Sequence, residues 1–98
     1  MEIIKTKEGS NLKVAVEGRL DTVTAPQLEI ELRDNLDGIK ELDFDFEKLQ
    51  YISSAGLRVL LSAQKIMNKQ GVMKVFHVNS DVLEVFDVTG FVDILTIV

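Results

Sequence analysis

A change of hydrophobic period in mid-chain constrains this sequence more than any other feature. Leu42, Phe44 and Phe46 alternate with Asp43, Asp45 and Glu47, which is the period of a strand with one face buried. Leu57, Leu60, Leu61, Ala63 and Met67 then recur at helical spacing. Between them lies Tyr51-Ile52-Ser53-Ser54-Ala55-Gly56-Leu57-Arg58, where a strand must give way to the longest helix of the chain. A serine hydroxyl at such a junction can accept a bond from an early helix amide, and the positive helix end favours negative charge beside it. Ser54 is therefore the first candidate for function, placed where an anion would be stabilised. The plainer reading is a helix cap, a role for which Ser53 competes, and spacing alone does not separate the two.

The flanking sequence predicts the rest of the architecture. Glu2 to Thr6 and Leu12 to Glu17 are short β-prone runs joined by Glu8-Gly9-Ser10-Asn11, whose Gly and Asn suit a tight turn, so an antiparallel hairpin is expected. Gly18 to Val23 reads as a connection. Thr24-Ala25-Pro26-Gln27 then reads as a helix start, with Thr24 capping, Gln27 reaching back and Pro26 in the first turn. Leu28, Leu32 and Leu36 line one face of that helix, and Gly38 ends it. Ile39 to Phe46 forms the next strand, with Glu47-Lys48-Leu49-Gln50 leading on to the serines. The long helix runs from Ser54 to about Gln70, with Gly71 as a left-handed cap. Val72 to Val78, nearly all apolar, reads as a central strand covered on both faces. Asn79 or Ser80 caps a short helix carrying Val82, Leu83 and Phe86, Thr89-Gly90 stops it, and Ile94 to Val98 supplies a last strand. A hairpin followed by alternating helices and strands calls for one α/β domain over residues 1–98, its mixed, largely parallel sheet packed against helices.

Composition narrows the function. At 98 residues the chain has room for a single core. A net charge of -5 lacks the basic stripe of a nucleic-acid binder, so a protein or small-molecule partner is expected. The absence of cysteine rules out disulfides and thiolate metal sites. Met1-Glu2-Ile3-Ile4-Lys5 carries no signal-peptide run and no apolar stretch approaches a bilayer span, which leads us to expect a soluble, cytoplasmic chain with no membrane partner.

Other polar residues have plainer roles open to them. Asp43 and Asp45 share a strand face and could hold Mg²⁺ or act as acid and base. A solvated polar face, or a strand end, is favoured, because no third ligand is evident nearby. His77, the only histidine, lies in Val75-Phe76-His77-Val78 and reads as a strand residue rather than a catalytic base. A nucleophile elbow is a poor match, since Ser53-Ser54-Ala55-Gly56 lacks the glycine two residues before the serine. Asp21 follows a strand and precedes a helix, so a parallel sheet would bring it toward Ser54 at the strands' carboxyl ends. Turn chemistry at Asp21 or Thr22 is the alternative. Gly56 costs up to about 1 kcal/mol against alanine in a helix interior and less at an end, so its small size calls for a reason. Close approach of another protein's backbone is one candidate.

Gly18-Arg19-Leu20-Asp21-Thr22-Val23-Thr24-Ala25 followed by Leu28, and Leu42-Asp43-Phe44-Asp45 running into Leu49-Gln50-Tyr51-Ile52-Ser53-Ser54-Ala55-Gly56-Leu57, together resemble the STAS domain of bacterial anti-sigma factor antagonists. The resemblance extends from the first hairpin to the segment Phe86 to Phe91. It implies a binding module rather than an enzyme, with no catalytic residue, cofactor or metal. Such a module binds an anti-sigma factor, a serine kinase with a histidine-kinase-like ATP-binding fold, and so frees a sigma factor. The kinase phosphorylates the serine two positions before the glycine, here Ser54, and a metal-dependent serine phosphatase restores it. Ser53 stands where an aspartate usually precedes the acceptor. The resemblance assigns Asp21, Thr22, Ser53, Ser54, Ala55, Gly56 and Arg58 to the partner surface of a monomer or weak dimer. A non-phosphorylated STAS scaffold or sensory-complex module, and more remotely a small metal-dependent phosphoesterase, are the alternatives.

Overall fold

The computed structural model describes residues 1–98. Strands β1 (Glu2–Glu8) and β2 (Asn11–Leu20) form the antiparallel hairpin, turning at Gly9, whose φ is 61°. Helix α1 (Ala25–Asn35) leads to β3 (Glu41–Asp45) and β4 (Leu49–Ile52), then to α2 (Ser54–Gln70), β5 (Val72–Phe76) and α3 (Ser80–Thr89), with a 3₁₀ turn at Phe91–Asp93. The strand order is β1-β2-β3-β5, and every pair after the hairpin is parallel. This is the single α/β domain with a mixed sheet that the alternating periods require.

The burial pattern assigns the two sheet faces. Leu12, Val14 and Val16 of β2, Leu42 and Phe44 of β3, and Met73 and Val75 of β5 are buried. With Leu28, Leu32, Leu57, Leu60, Met67, Val82 and Phe86 from the helices they form one continuous core. The opposite face carries Lys13, Ala15, Asp43, Asp45, Val72, Lys74 and Phe76, all exposed or half-buried. The helices thus share one side of the sheet, as right-handed crossovers running in one direction along it demand.

Several expectations are corrected. Gly18-Arg19-Leu20 is not a connection: β2 continues through it, with a register shift at Gly18/Arg19, and pairs in parallel with β4. Leu49–Ile52 is itself a strand rather than a lead-in, because its amides and carbonyls find the end of β2 that β3 leaves free. Strand β3 is shorter than expected and ends at Asp45, although the Phe46 amide still donates to the Phe76 carbonyl at 3.0 Å. Thr24 occupies the N-cap position of α1 without making a side-chain cap bond, so the capping box with Gln27 does not form. Gly71 has φ 178° rather than a left-handed value, and a Cβ there would sit 1.9 Å from the Lys40 carbonyl oxygen. Its smallness serves close approach of β5 to the residue preceding β3.

Strand β5 ends at Phe76 and lies at the sheet edge, with only one face covered. Val72 accordingly remains 51% exposed. Ile94 to Val98 forms no strand and contributes a single parallel bridge from Ile97 to Val75. In α3, Asn79 is the cap, accepting from the Val82 amide at 2.9 Å, and Gly90 ends the helix at φ 80°. Leu83 faces outward, leaving Val82 and Phe86 as the buried contacts.

Candidate functional site

Strands β2 and β4 run in parallel and end together, Leu20 beside Ile52, so the chain segments that follow leave the ladder side by side. The Ser53 amide donates to the Leu20 carbonyl at 2.9 Å and continues that pairing by one residue. Ser53 is extended, at φ -101° and ψ 176°, and Ser54 is the first residue of α2. The Ser54 side chain is exposed at the positive helix end, as expected.

Neither serine caps the helix in the expected way. Ser53 holds the N-cap position and its carbonyl accepts from the Leu57 amide at 2.9 Å, but its side chain makes no cap bond. Its Oγ is buried with no hydrogen-bond partner. The two hydroxyls therefore differ in access, with Ser54 presented to solvent and Ser53 withheld from it.

Gly56 is buried in the first turn of α2. A Cβ on it would lie 2.7 Å from Leu20 Cγ and 2.9 Å from Ile52 Cγ1. The close neighbour that demands glycine is thus the chain's own strand ends rather than another protein, and Gly56 shapes the site by letting α2 settle on β2 and β4.

The loop after β2 is built by Asp21. Its Oδ1 accepts from the amides of Val23 at 3.0 Å and Thr24 at 3.1 Å, while Thr24 Oγ1 donates to the Arg19 carbonyl at 2.7 Å. Hydrogen bonding from the Thr24 amide, helped by its side chain, the Val23 amide and the Arg19 charge, holds the Asp21 carboxyl below the usual aspartate range despite partial desolvation. Turn construction is therefore what Asp21 does in the fold, and this turn brings the exposed Thr22 to the same end of the sheet as Ser54. Arg58 is also exposed on α2, and Ala55 is half-buried. Arg19 and Tyr51 carry no functional signal in the sequence. They are register partners on β2 and β4, with the guanidinium 4.2 Å from the ring centroid, a cation–π contact at the rim of the serine junction. Only the unforeseen pairing of β2 with β4 makes them neighbours.

The acidic face of β3 is a separate group. Asp43 is half-buried with one carboxylate oxygen unpartnered, and desolvation, reinforced by Glu41, holds its carboxyl above the usual range. Asp45 Oδ1 lies 2.9 Å from His77 Nδ1 and accepts from the Glu47 amide at 3.1 Å. Partial desolvation pulls Asp45 upward, but these bonds and the neighbouring His77 and Lys13 charges hold it below the usual range. His77 is not a strand residue; it lies just past β5 with φ 60° and its side chain exposed. Further ligand types missed from sequence therefore stand beside Asp45, contributed by Glu47 and His77.

No helix of the chain is long and apolar enough to cross a membrane. The STAS domain family model matches residues 2–98. A candidate anti-sigma factor antagonist of Bordetella bronchiseptica, BtrV, is 35% identical over 99 residues, covering 99% of this chain and 85% of its own. The anti-sigma-B factor antagonist of Bacillus subtilis is 28% identical, covering 96% of this chain and 88% of its own. Among solved structures, an anti-sigma factor antagonist from Mycobacterium paratuberculosis superposes with a TM-score of 0.87 at 22% identity, over 98% of this chain and 83% of its own. By sequence over nearly its whole length and by fold, the chain belongs to the STAS domain family.

Proposed function

We propose that the chain is an anti-sigma factor antagonist, a binding module that engages an anti-sigma factor serine kinase, thereby releases a sigma factor, and is switched off by phosphorylation of Ser54. The observation that carries this reading is the contrast at the strand-to-helix junction, where Ser54 is exposed at the start of α2 and the Ser53 hydroxyl is buried. A kinase needs a hydroxyl it can reach, and the helix N-terminus stabilises the dianion that results. The relatives in Bordetella bronchiseptica and Bacillus subtilis, named for antagonism of anti-sigma factors, support the partner class. Thr22 beside the junction and Arg58 one turn along α2 complete an exposed surface that a partner can cover, while Gly56 and Asp21 fix its shape. A serine phosphatase would reset the switch.

The test is incubation with ATP and a purified anti-sigma factor kinase, followed by intact-mass and tandem mass spectrometry. One added phosphate on Ser54 is expected. Phosphate on Ser53 or Thr22 would overturn the site assignment, and no phosphate together with no binding to the kinase would overturn the function.

A further inference from the structure

Asp45, Glu47 and His77 stand apart from the serine junction, and the proposed function uses none of them. Asp45 ends β3, Glu47 follows it in the turn toward β4, and His77 leaves β5 one residue after Phe76, the register partner of Asp45. Parallel pairing thus gathers the three at the carboxyl ends of adjacent strands, the end at which open α/β sheets take their ligands. One potential ligand atom from each lies within 4.8 Å of the others. We infer that Asp45, Glu47 and His77 form a binding site for a borderline divalent cation of the zinc type.

The donor chemistry selects that class. One imidazole nitrogen and two carboxylate oxygens make a three-ligand set that zinc accepts in tetrahedral geometry, with water in the fourth position. Mg²⁺ and Ca²⁺ prefer oxygen donors throughout, so the imidazole disfavours them. Asp45 is the half-buried anchor of the set, oriented by the Glu47 amide at 3.1 Å. Glu47 and His77 are exposed and have room to close onto an ion. The ion would take the place of the hydrogen-bonding proton between His77 Nδ1 and Asp45 Oδ1, now 2.9 Å apart. Lys13 is close enough to act on Asp45 electrostatically and opposes a cation there. The surface position and this opposing charge imply modest affinity. A bound ion would clip the β3–β4 turn to the segment leaving β5, so binding stabilises the fold by mass action.

His77 is the only histidine, which makes the test specific. Untagged, chelator-treated protein is titrated with Zn²⁺ and separately with Mg²⁺, followed by calorimetry and by the ring nitrogen NMR signals of His77. Saturable zinc binding at one site that shifts the ring signals is expected, with little response to Mg²⁺. His77→Ala, Asp45→Asn and Glu47→Gln should each weaken zinc binding by about tenfold or more, whereas Glu29→Gln on α1 should not. Thermal melts without metal check that each variant folds. Zinc binding that leaves the His77 ring unshifted, an affinity unchanged in the three variants, or no binding at all would overturn the site; an equal response to Mg²⁺ would overturn the cation class.

Discussion

Two side chains near the serine junction differ in how their polar atoms are satisfied. Ser53 sits at an N-cap yet leaves its Oγ buried and unpartnered. A capping serine replaced by alanine costs about 0.5–2 kcal/mol, but here no cap bond exists to lose, and a buried unpaired hydroxyl is itself unfavourable by about 1–3 kcal/mol. Ser53→Ala should therefore lie within about 0.5 kcal/mol of the parent or above it in urea-induced unfolding. A loss of cap size would show that the hydroxyl is bonded in solution. Asp21 is the opposite case, a carboxylate whose charge is supported by the amides it accepts from, that of Thr24 foremost. Its folded pKa is the lower one, so its contribution to stability is complete above the unfolded value and disappears as pH falls through the folded value. A carbon-detected NMR titration should place the Asp21 midpoint below that of an unperturbed aspartate. A midpoint at or above that value would mean that the turn is not formed as described.

At the scale of elements, the junction is defined by how closely α2 approaches the ends of β2 and β4. Gly56→Ala tests this, because two effects oppose each other. Alanine improves helix propensity by up to about 1 kcal/mol. The new methyl, however, would meet Leu20 Cγ at 2.7 Å and Ile52 Cγ1 at 2.9 Å, and both side chains are buried in the core. Overpacking of this kind costs about 1–3 kcal/mol. We expect net destabilisation in chemical denaturation; net stabilisation would show that α2 is not pinned there. The same elements show how much the sequence reveals. The periods of β3 and α2 are visible because each has one apolar face over several turns or pleats, and Ser54 follows from where they meet. Strand β4 is not visible, since Leu49-Gln50-Tyr51-Ile52 buries only its two ends and carries no alternation. Missing it hides Arg19 and Tyr51, which become neighbours only through β2–β4 pairing. The apolar run from Val72 reads as a doubly covered strand because composition does not show that the sheet's second face is open. His77 could not be joined to Asp45 from sequence either, because their meeting depends on the register of β3 against β5.

At the scale of the whole molecule, the question is whether a charge on Ser54 alters the fold or only the surface. The core is formed by the covered sheet face and the inward sides of the helices, while Ser54 lies outside it at the first position of α2. A phosphate there adds about -1.5 to -2 charge at neutral pH, and the positive helix end stabilises it. Nothing in the core has to move. The chain is already acidic, at -5 overall, so the added repulsion is spread over an anionic surface and the local helix-end attraction opposes it. A partner docked over Ser54 meets the charge under different conditions, because closing the interface removes water from it, and a desolvated or like-charge contact can cost several kcal/mol. Each 1.4 kcal/mol weakens binding about tenfold. Ser54→Asp should therefore melt within a few degrees of the parent yet bind the anti-sigma factor at least about tenfold more weakly than Ser54→Ala, which should act as a permanently active antagonist. Titration calorimetry of both variants against the anti-sigma factor with nucleotide present, run beside thermal melts, separates the possibilities. Equal affinities would sink the charge mechanism, and a large fall in melting temperature for Ser54→Asp would place the effect of the proposed phosphorylation in the fold instead of the interface.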